Sequence, residues 1–359
     1  MKTIPIGVLY SSQSQYRKVS YQTLIGTQFG ISQVNANPQF NFKLGAIHKD
    51  PFGELPRYAE QAERLFKQGV EHVFGTTTLD SRMLALDVVQ RHSGLLWTSS
   101  LSGAQPKHSN LLEFGSSPDQ HLFPLLEYSF AKYGVHAAVV SPNDQLGWDL
   151  STLTSSFFET GGGVLSFNNF YREGCQTFDY TLKSLLTEQP KFVVNHLMGS
   201  TSYAFLKELN QHWKGKPIPV ICTHLSRSES VALGALPNLV LLCGSNFFEL
   251  VNPMFSQRVY RDFAKVYVSG GFVSAYLSVL ALAYSIKRAE SSDPKDVKQA
   301  LTSIALPAPF GGKALFTNQY LKQPSFIAQL NEENVTLLET GNVSSERRTI
   351  NTSQMAALE

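Results

Sequence analysis

A chain of 359 residues, 43% hydrophobic and 16% charged, carries enough apolar material for one large domain or two smaller ones, which excludes a chain disordered along its length. Thirty basic residues against 28 acidic ones leave a formal charge of +2, and no Lys/Arg run is interleaved with aromatics, so direct nucleic-acid binding is not expected. The three cysteines, Cys175, Cys222 and Cys243, form no CxxC pair or His/Cys cluster; they read as buried thiols, and neither a disulfide framework, a metal nor a cofactor is expected.

The opening "MKTIPIGVLYSS" holds one lysine and then a short strand-like run broken by Pro5. It lacks the long apolar core of a secretory signal, which makes the expected location cytoplasmic, with a periplasmic one as the alternative if a signal has been removed. No apolar stretch suggests membrane insertion. Short apolar runs follow at 4–11, 42–50, 71–77 and 94–100, with "PRYAEQAERLFKQG" between two of them. That segment opens at Pro56, closes at Gly69 and places Tyr58, Ala59, Ala62, Leu65 and Phe66 at helical spacing, so strands and helices alternate around a parallel sheet.

The rhythm restarts with strand candidates at 136–142, 164–171, 191–198 and 219–226, separated by helices such as "TSYAFLKELNQHW". A second α/β unit is the economical inference. The run at 239–248 then leads into "GGFVSAYLSVLALAYSIKRAE", whose length and apolar density predict a helix buried on more than one face. "SFIAQLNEENVTLLET" alternates around Asn334 and reads as a terminal hairpin. The closing "AALE" reads as a vector remnant.

Two α/β units leave a cleft between them, and open parallel sheets take ligands beyond the carboxyl ends of their strands. Two such ends are rich in hydroxyls: Thr76, Thr77 and Thr78 before "LDSRMLALDVV", and "WTSSLSG" at 97–103. Each hydroxyl can cap a helix, but together they make a polar wall suited to a carboxylate or an amide oxygen. His196 and His224 lie late in strand candidates of the second unit, and Asp144 follows another; each is a cleft residue or a structural one. No GxSxG, GxxxxGK[ST] or HExxH motif occurs, so the polar groups have no recognisable catalytic arrangement.

In the order of its segments ("IGVLYS", "HKDPFGELPRYAEQAERLFKQGVEHVFGTTTLDSRMLALDVVQRHSGLLWTSS", "VVSPNDQLGWDLSTLTSSFF", "VVNHLMGSTSYAFLKEL") and in "APFGG" at 308–312, the chain resembles the type I periplasmic-binding-protein superfamily over about residues 4–340. Within it, the resemblance is nearest to the amide-sensor (AmiC-like) and urea-type transporter-binding proteins. It implies an α/β fold of two doubly wound parallel-sheet lobes joined by a three-crossing hinge. Lobe one would be 1–118 with 246–308, lobe two 119–245 with 309–345, and 346–359 a tail. It maps ligand contacts onto Thr77, Thr78, Trp97, Ser99 and Ser100 of lobe one and Asp144, Leu146, His196, Thr223 and His224 of lobe two. The family's tyrosine-rich segment is matched by "PNDQLGW", which has lost both tyrosines, so acetamide and urea are not carried over.

The expected function is non-catalytic binding of a small polar ligand (an amide, urea, amino acid or small carboxylate), with Trp97 packed on its body and closure signalling to a regulator. The alternatives are the substrate-binding component of an ABC transporter, the sensory part of a longer signalling protein, and an enzyme with His196 or His224 as base near Asp144. The partners those readings imply are the small molecule, an RNA-binding antiterminator-type regulator, a signalling domain or an ABC permease; a homodimer is also compatible with them.

Overall fold

The computed structural model describes residues 1–101, 108–264, 266–317 and 320–341. The chain runs through β1 (Lys2–Leu9), α1 (Arg17–Ala36), β2 (Phe42–Lys49), α2 (Leu55–Phe66), β3 (His72–Gly75), α3 (Leu79–Arg91), β4 (Leu95–Thr98) and β5 (Leu111–Glu113). These strands pair in parallel in the order β5-β4-β3-β1-β2. After α4 (Pro118–His121) and α5 (Phe123–Tyr133) a second alternation follows: β6 (His136–Pro142), α6 (Gln145–Thr160), β7 (Val164–Tyr171), α7 (Asp179–Glu188) and β8 (Phe192–Asn195). It continues through α8 (Gly199–His212), β9 (Ile218–Cys222), α9 (Arg227–Leu233) and β10 (Leu239–Ser245), with parallel order β10-β9-β8-β6-β7.

The remaining chain completes both sheets. After α10 (Pro253–Val259), α11 (Gly270–Ala289) and α12 (Pro294–Leu301), strands β11 (Ala305–Pro307), β12 (Lys313–Thr317) and β13 (Tyr320–Lys322) extend the first sheet beyond β5. The hairpin of β14 (Ser325–Leu330) and β15 (Val335–Gly341) then adds antiparallel to β10. This differs from the expected division, which put 309–345 in lobe two. Ala314, Phe316 and Leu321 pack in the first lobe's core beside Trp97 and Phe114, so the last crossing falls at 323–324. The tail at 346–359 lies outside the described residues.

Strand periodicity explains why each sheet carries helices on both faces. In β6, Ala137 and Val139 pack toward α5 and α6, whereas Ala138 and Val140 pack toward α7 and α8. In β4, Leu95 and Trp97 join the core under α1 and α11, whereas Leu96 faces α2 and α3. By length and composition α11 could cross a membrane, but it is mostly buried inside the first lobe, packed against α1 and α12. The absence of side chains at Gly26 and Gly30 permits that packing: a Cβ at Gly26 would lie 2.3 Å from the Phe272 carbonyl oxygen.

Where the chain passes between lobes, its three segments are tied to one another. Gln323 Nε2 donates to the Phe114 carbonyl (3.4 Å) and to Ser116 Oγ (3.3 Å), while its Oε1 accepts from Asn246 Nδ2 (2.6 Å). Asn246 Nδ2 also donates to Ser274 Oγ on α11 (3.0 Å), and Gln120 Nε2 donates to the Leu321 carbonyl (3.3 Å). Asn246 and Gln323 are 2% and 1% exposed, so this amide network is sealed from water, where unmade bonds are costly.

Gly26→Ala must push α11 away from α1, because its contact is with backbone that cannot rotate aside. The expected loss is about 1–3 kcal/mol, read as a lower unfolding midpoint in denaturant with an unchanged far-ultraviolet spectrum.

Candidate functional site

The strands end earlier than the apolar runs suggest: β3 at Gly75, β4 at Thr98, β8 at Asn195 and β9 at Cys222. The polar residues that follow are thereby released from the ladders into the loops at the carboxyl ends of both sheets. Thr77, Ser99 and Ser100 of the first lobe face Leu146, Met198, Thr223 and His224 of the second across a chamber of about 990 Å³ including its mouth. Val19 and Gln22 of α1 and the first turn of α11, Ser269 to Gly271, close one side; Gly244 to Phe248 at the second crossing form the floor. Leu101, Leu146, Met198, Leu225 and Val268 give the chamber an apolar body.

The three threonines divide their duties. Thr78 is the N-cap of α3: Oγ1 accepts from Ser81 N (3.3 Å), and Ser81 Oγ accepts from Thr78 N (3.1 Å), a reciprocal arrangement that satisfies the helix start. Thr76 is fully buried and donates to the Thr78 carbonyl (3.4 Å). Thr77 lines the chamber, is 6% exposed, and its Oγ1 has no partner in the protein. A buried hydroxyl left this way costs free energy that a ligand could recover. Ser99 Oγ lies 3.4 Å from Tyr10 Oη. Ser100 Oγ accepts from the buried Arg82 (2.7 Å), which also reaches the Leu101 carbonyl (3.0 Å) and pairs with Glu113 (3.2 Å). Arg82 therefore holds the β4 loop in position from behind the wall.

Trp97 does not face the ligand cleft, contrary to the sequence expectation. It is fully buried between Phe74 and Phe114, with Nε1 directed at His72 Nδ1 (3.4 Å). The alternation of β4 decides this: Thr98 is out of register with Trp97, and Ser99 and Ser100 come after the strand. Asp144 caps α6, accepting from Gly147 N (2.8 Å). With Tyr16, Tyr171 and Glu173 it lines a small side pocket that shares Leu146, Met198 and His224 with the main chamber. Burial pushes the Asp144 and Glu173 carboxyls upward.

His196 also borders the side pocket, but both of its ring nitrogens are engaged inside the second lobe, by Thr154 Oγ1 (2.9 Å) and Thr223 Oγ1 (3.3 Å). Burial and the neighbouring His224 and His121 push it down to about 3. His224 lines the chamber with Nε2 unpartnered, and burial with His121 nearby lowers it likewise. Asp144 is spent on its helix and His196 on two threonines, so no acid–base pair joins them. Thr78, Trp97, Asp144 and His196 thus lie off the main chamber; Thr77, Ser99, Ser100, Leu146, Thr223 and His224 line it.

The sequence reading missed Gln22, Arg82, Arg227 and the start of α11. Gln22 sits mid-helix without a motif, and Arg82 looks like an ordinary surface cation on an amphipathic helix. Arg227 lines the chamber but is paired with Glu249 (3.3 Å) and lies over the Tyr267 ring (4.7 Å). The "SGG" at 269–271 carried a legible signal, since Ser269 caps α11 by accepting from Phe272 N (3.2 Å). With its cation occupied, the chamber presents hydroxyls and helix-start N–H groups, a chemistry suited to anionic or carbonyl oxygens.

A family model described as a periplasmic binding protein domain matches residues 4–343. Among solved structures, a leucine binding protein from Thermotoga maritima shares 14% identity at a TM-score of 0.83, covering 94% of this chain and 99% of that one. A solute binding protein of an ABC transporter from R. palustris, in complex with benzoate, shares 14% at 0.83, covering 96% and 98%. A branched-chain amino acid transporter substrate binding protein from Streptococcus pneumoniae, in complex with isoleucine, shares 16% at 0.79, covering 94% and 99%. No curated protein matches the chain.

Thr78→Ala should cost about 0.5–2 kcal/mol of stability, whereas Thr77→Ala, which removes an unpartnered hydroxyl, should leave the unfolding midpoint nearly unchanged. Acid should destabilise through the buried neutral histidines. Burial lowers His72 and His121 to about 4 and His196 to about 3, from an ordinary 6.5. The unfolded chain therefore binds protons first as pH falls below 6.5, and stability drops from there toward the folded values. At pH 5 each such histidine accounts for about 2 kcal/mol. Denaturant titrations of the parent and His72→Gln at pH 7 and pH 5 check this, the variant being expected to show the shallower fall.

Proposed function

The chain belongs to the periplasmic binding protein family, and from that premise we propose that it is the substrate-binding component of an ABC transporter, closing on a small molecule with a carboxylate or amide end and an apolar body. The observation that carries the ligand class is Thr77: a buried hydroxyl without a protein partner, beside Ser99 and Ser100 and opposite Leu146 and Met198. The bound molecules named for the structural relatives, isoleucine and benzoate, both join a carboxylate to an apolar body. Hydroxyls and N–H groups of lobe one hold the oxygens, and lobe two covers the body.

The transporter role is preferred to a regulatory one because the family and its structural relatives are described as periplasmic and transport-binding proteins. The same description favours an exported protein over the cytoplasmic location expected from the first residues. Amide sensing, urea, an RNA-binding partner and a homodimer have no corresponding support. No turnover is proposed, since His196 is held by Thr154 and Thr223 and Asp144 caps α6.

Isothermal titration calorimetry with benzoates, branched-chain amino acids, simple amides and ureas tests the reading. A carboxylate with an apolar body should bind, and Thr77→Ala and Ser99→Ala should each weaken it by about 5- to 150-fold, while Trp97→Phe should leave affinity close to that of the parent. The absence of any binder at millimolar concentration would overturn the reading.

A further inference from the structure

Among the side chains of the chamber, one on α1 reaches from the first wall to the second. Gln22, on α1 of the first lobe, is 4% exposed and lines the chamber. Its Nε2 donates across the cleft to Ser228 Oγ of the second lobe (2.8 Å), while its Oε1 is buried with no partner. Ser228 sits in the first turn of α9, whose neighbour Arg227 also reaches toward the first lobe, over Tyr267 just ahead of α11 (4.7 Å). That turn is fixed to its own lobe by buried Glu229, which accepts from Ser226 N (2.8 Å) and from Tyr203 Oη (2.6 Å). It therefore moves as lobe two moves.

We infer that Gln22 is the ligand-reading half of an interlobe latch: an N–H or O–H donor on the ligand binds Oε1, and the same planar amide then presents its NH2 to Ser228. An amide cannot turn one end without the other. In the empty cleft it can rotate by half a turn and accept from the Ser228 hydroxyl instead; a ligand donor on Oε1 removes that alternative and ties occupancy to closure. Specificity follows from the same geometry. A ligand lacking the donor leaves a buried carbonyl unpaired, and sites built to hydrogen-bond a polar group discriminate strongly against analogues without it. The ligand class thereby narrows to acids or amides that carry, besides the end read by Thr77, a second group able to donate. This rests on the binding reading above.

The test uses acids that differ in the donor: 4-aminobenzoate against 4-methylbenzoate, and leucine against 4-methylpentanoate, titrated by calorimetry into the parent, Gln22→Met, Ser228→Ala and Thr77→Ala. The parent should prefer the donor-bearing member of the pair it binds by about 5- to 150-fold. Gln22→Met, close in volume to the original, should remove most of that preference, and Ser228→Ala should reduce it, whereas Thr77→Ala should weaken both members alike. Thermal unfolding confirms that each variant is folded. Binding with the preference intact in Gln22→Met overturns the latch and leaves the binding function standing; failure of the parent to bind either pair overturns both.

Discussion

The two lobes act as one molecule because three separate stretches of backbone cross between them and are cross-linked by buried amides. Gln323 spans the other two crossings, donating to Phe114 and Ser116 on one side and accepting from Asn246 on the other. A network of this kind is effective when every member is satisfied, because burial strengthens each bond and penalises its loss. Asn246 also donates to Ser274 on α11, so the pivot is anchored to a deeply buried helix of the first lobe. The chamber floor, Gly244 to Phe248, is built from that same crossing, which brings the pivot and the ligand site into contact.

The site itself follows from where ladders stop. A strand pairs its backbone groups, and its last residues hand their side chains to whatever lies beyond the sheet. Here those residues are hydroxyl-bearing on one side and mixed on the other, so the chamber joins hydrogen-bonding groups to apolar surface. Arg82 is behind the wall and Arg227 is paired and stacked, so no free cation faces the chamber among the described lining residues. A chamber lined by hydroxyls and helix starts carries no uncompensated buried charge when it is empty.

Contacts across the lobes occur at several places away from the pivot. Besides Gln22 and Ser228, the Gln15 carbonyl accepts from Ser200 N at the start of α8 (3.2 Å), and Tyr16 faces Glu173 in the side pocket. These are polar and individually weak, unlike the apolar cores within each lobe. Bonds of that kind can be made and broken as the lobes close and part, while the cores keep each lobe rigid. The chemistry that an enzyme would need is arranged differently: Asp144 caps a helix, and His196 is held between Thr154 and Thr223 as a neutral core group.

Local patterns in the sequence were enough to establish the alternating strands and helices, the buried character of α11, the terminal hairpin and the hydroxyl-rich strand ends, because each is a matter of periodicity or capping within a few residues. The resemblance of segment order supplied the two-lobed plan. Tertiary structure alone decided which hydroxyl faces the chamber: Thr76, Thr77 and Thr78 are equivalent as letters, but Thr76 is buried and bonded to backbone, Thr77 lines the chamber without a protein partner and Thr78 caps α3. It also withdrew Trp97 into the core, since a single step along β4 turns a side chain to the opposite face. The placement of β12 and β13 in the first sheet, the pairing of Asn246 with Gln323 and the reach of Gln22 to Ser228 join residues 77 and 206 positions apart. No local pattern encodes such a meeting, because it exists only once both lobes have folded and been brought face to face.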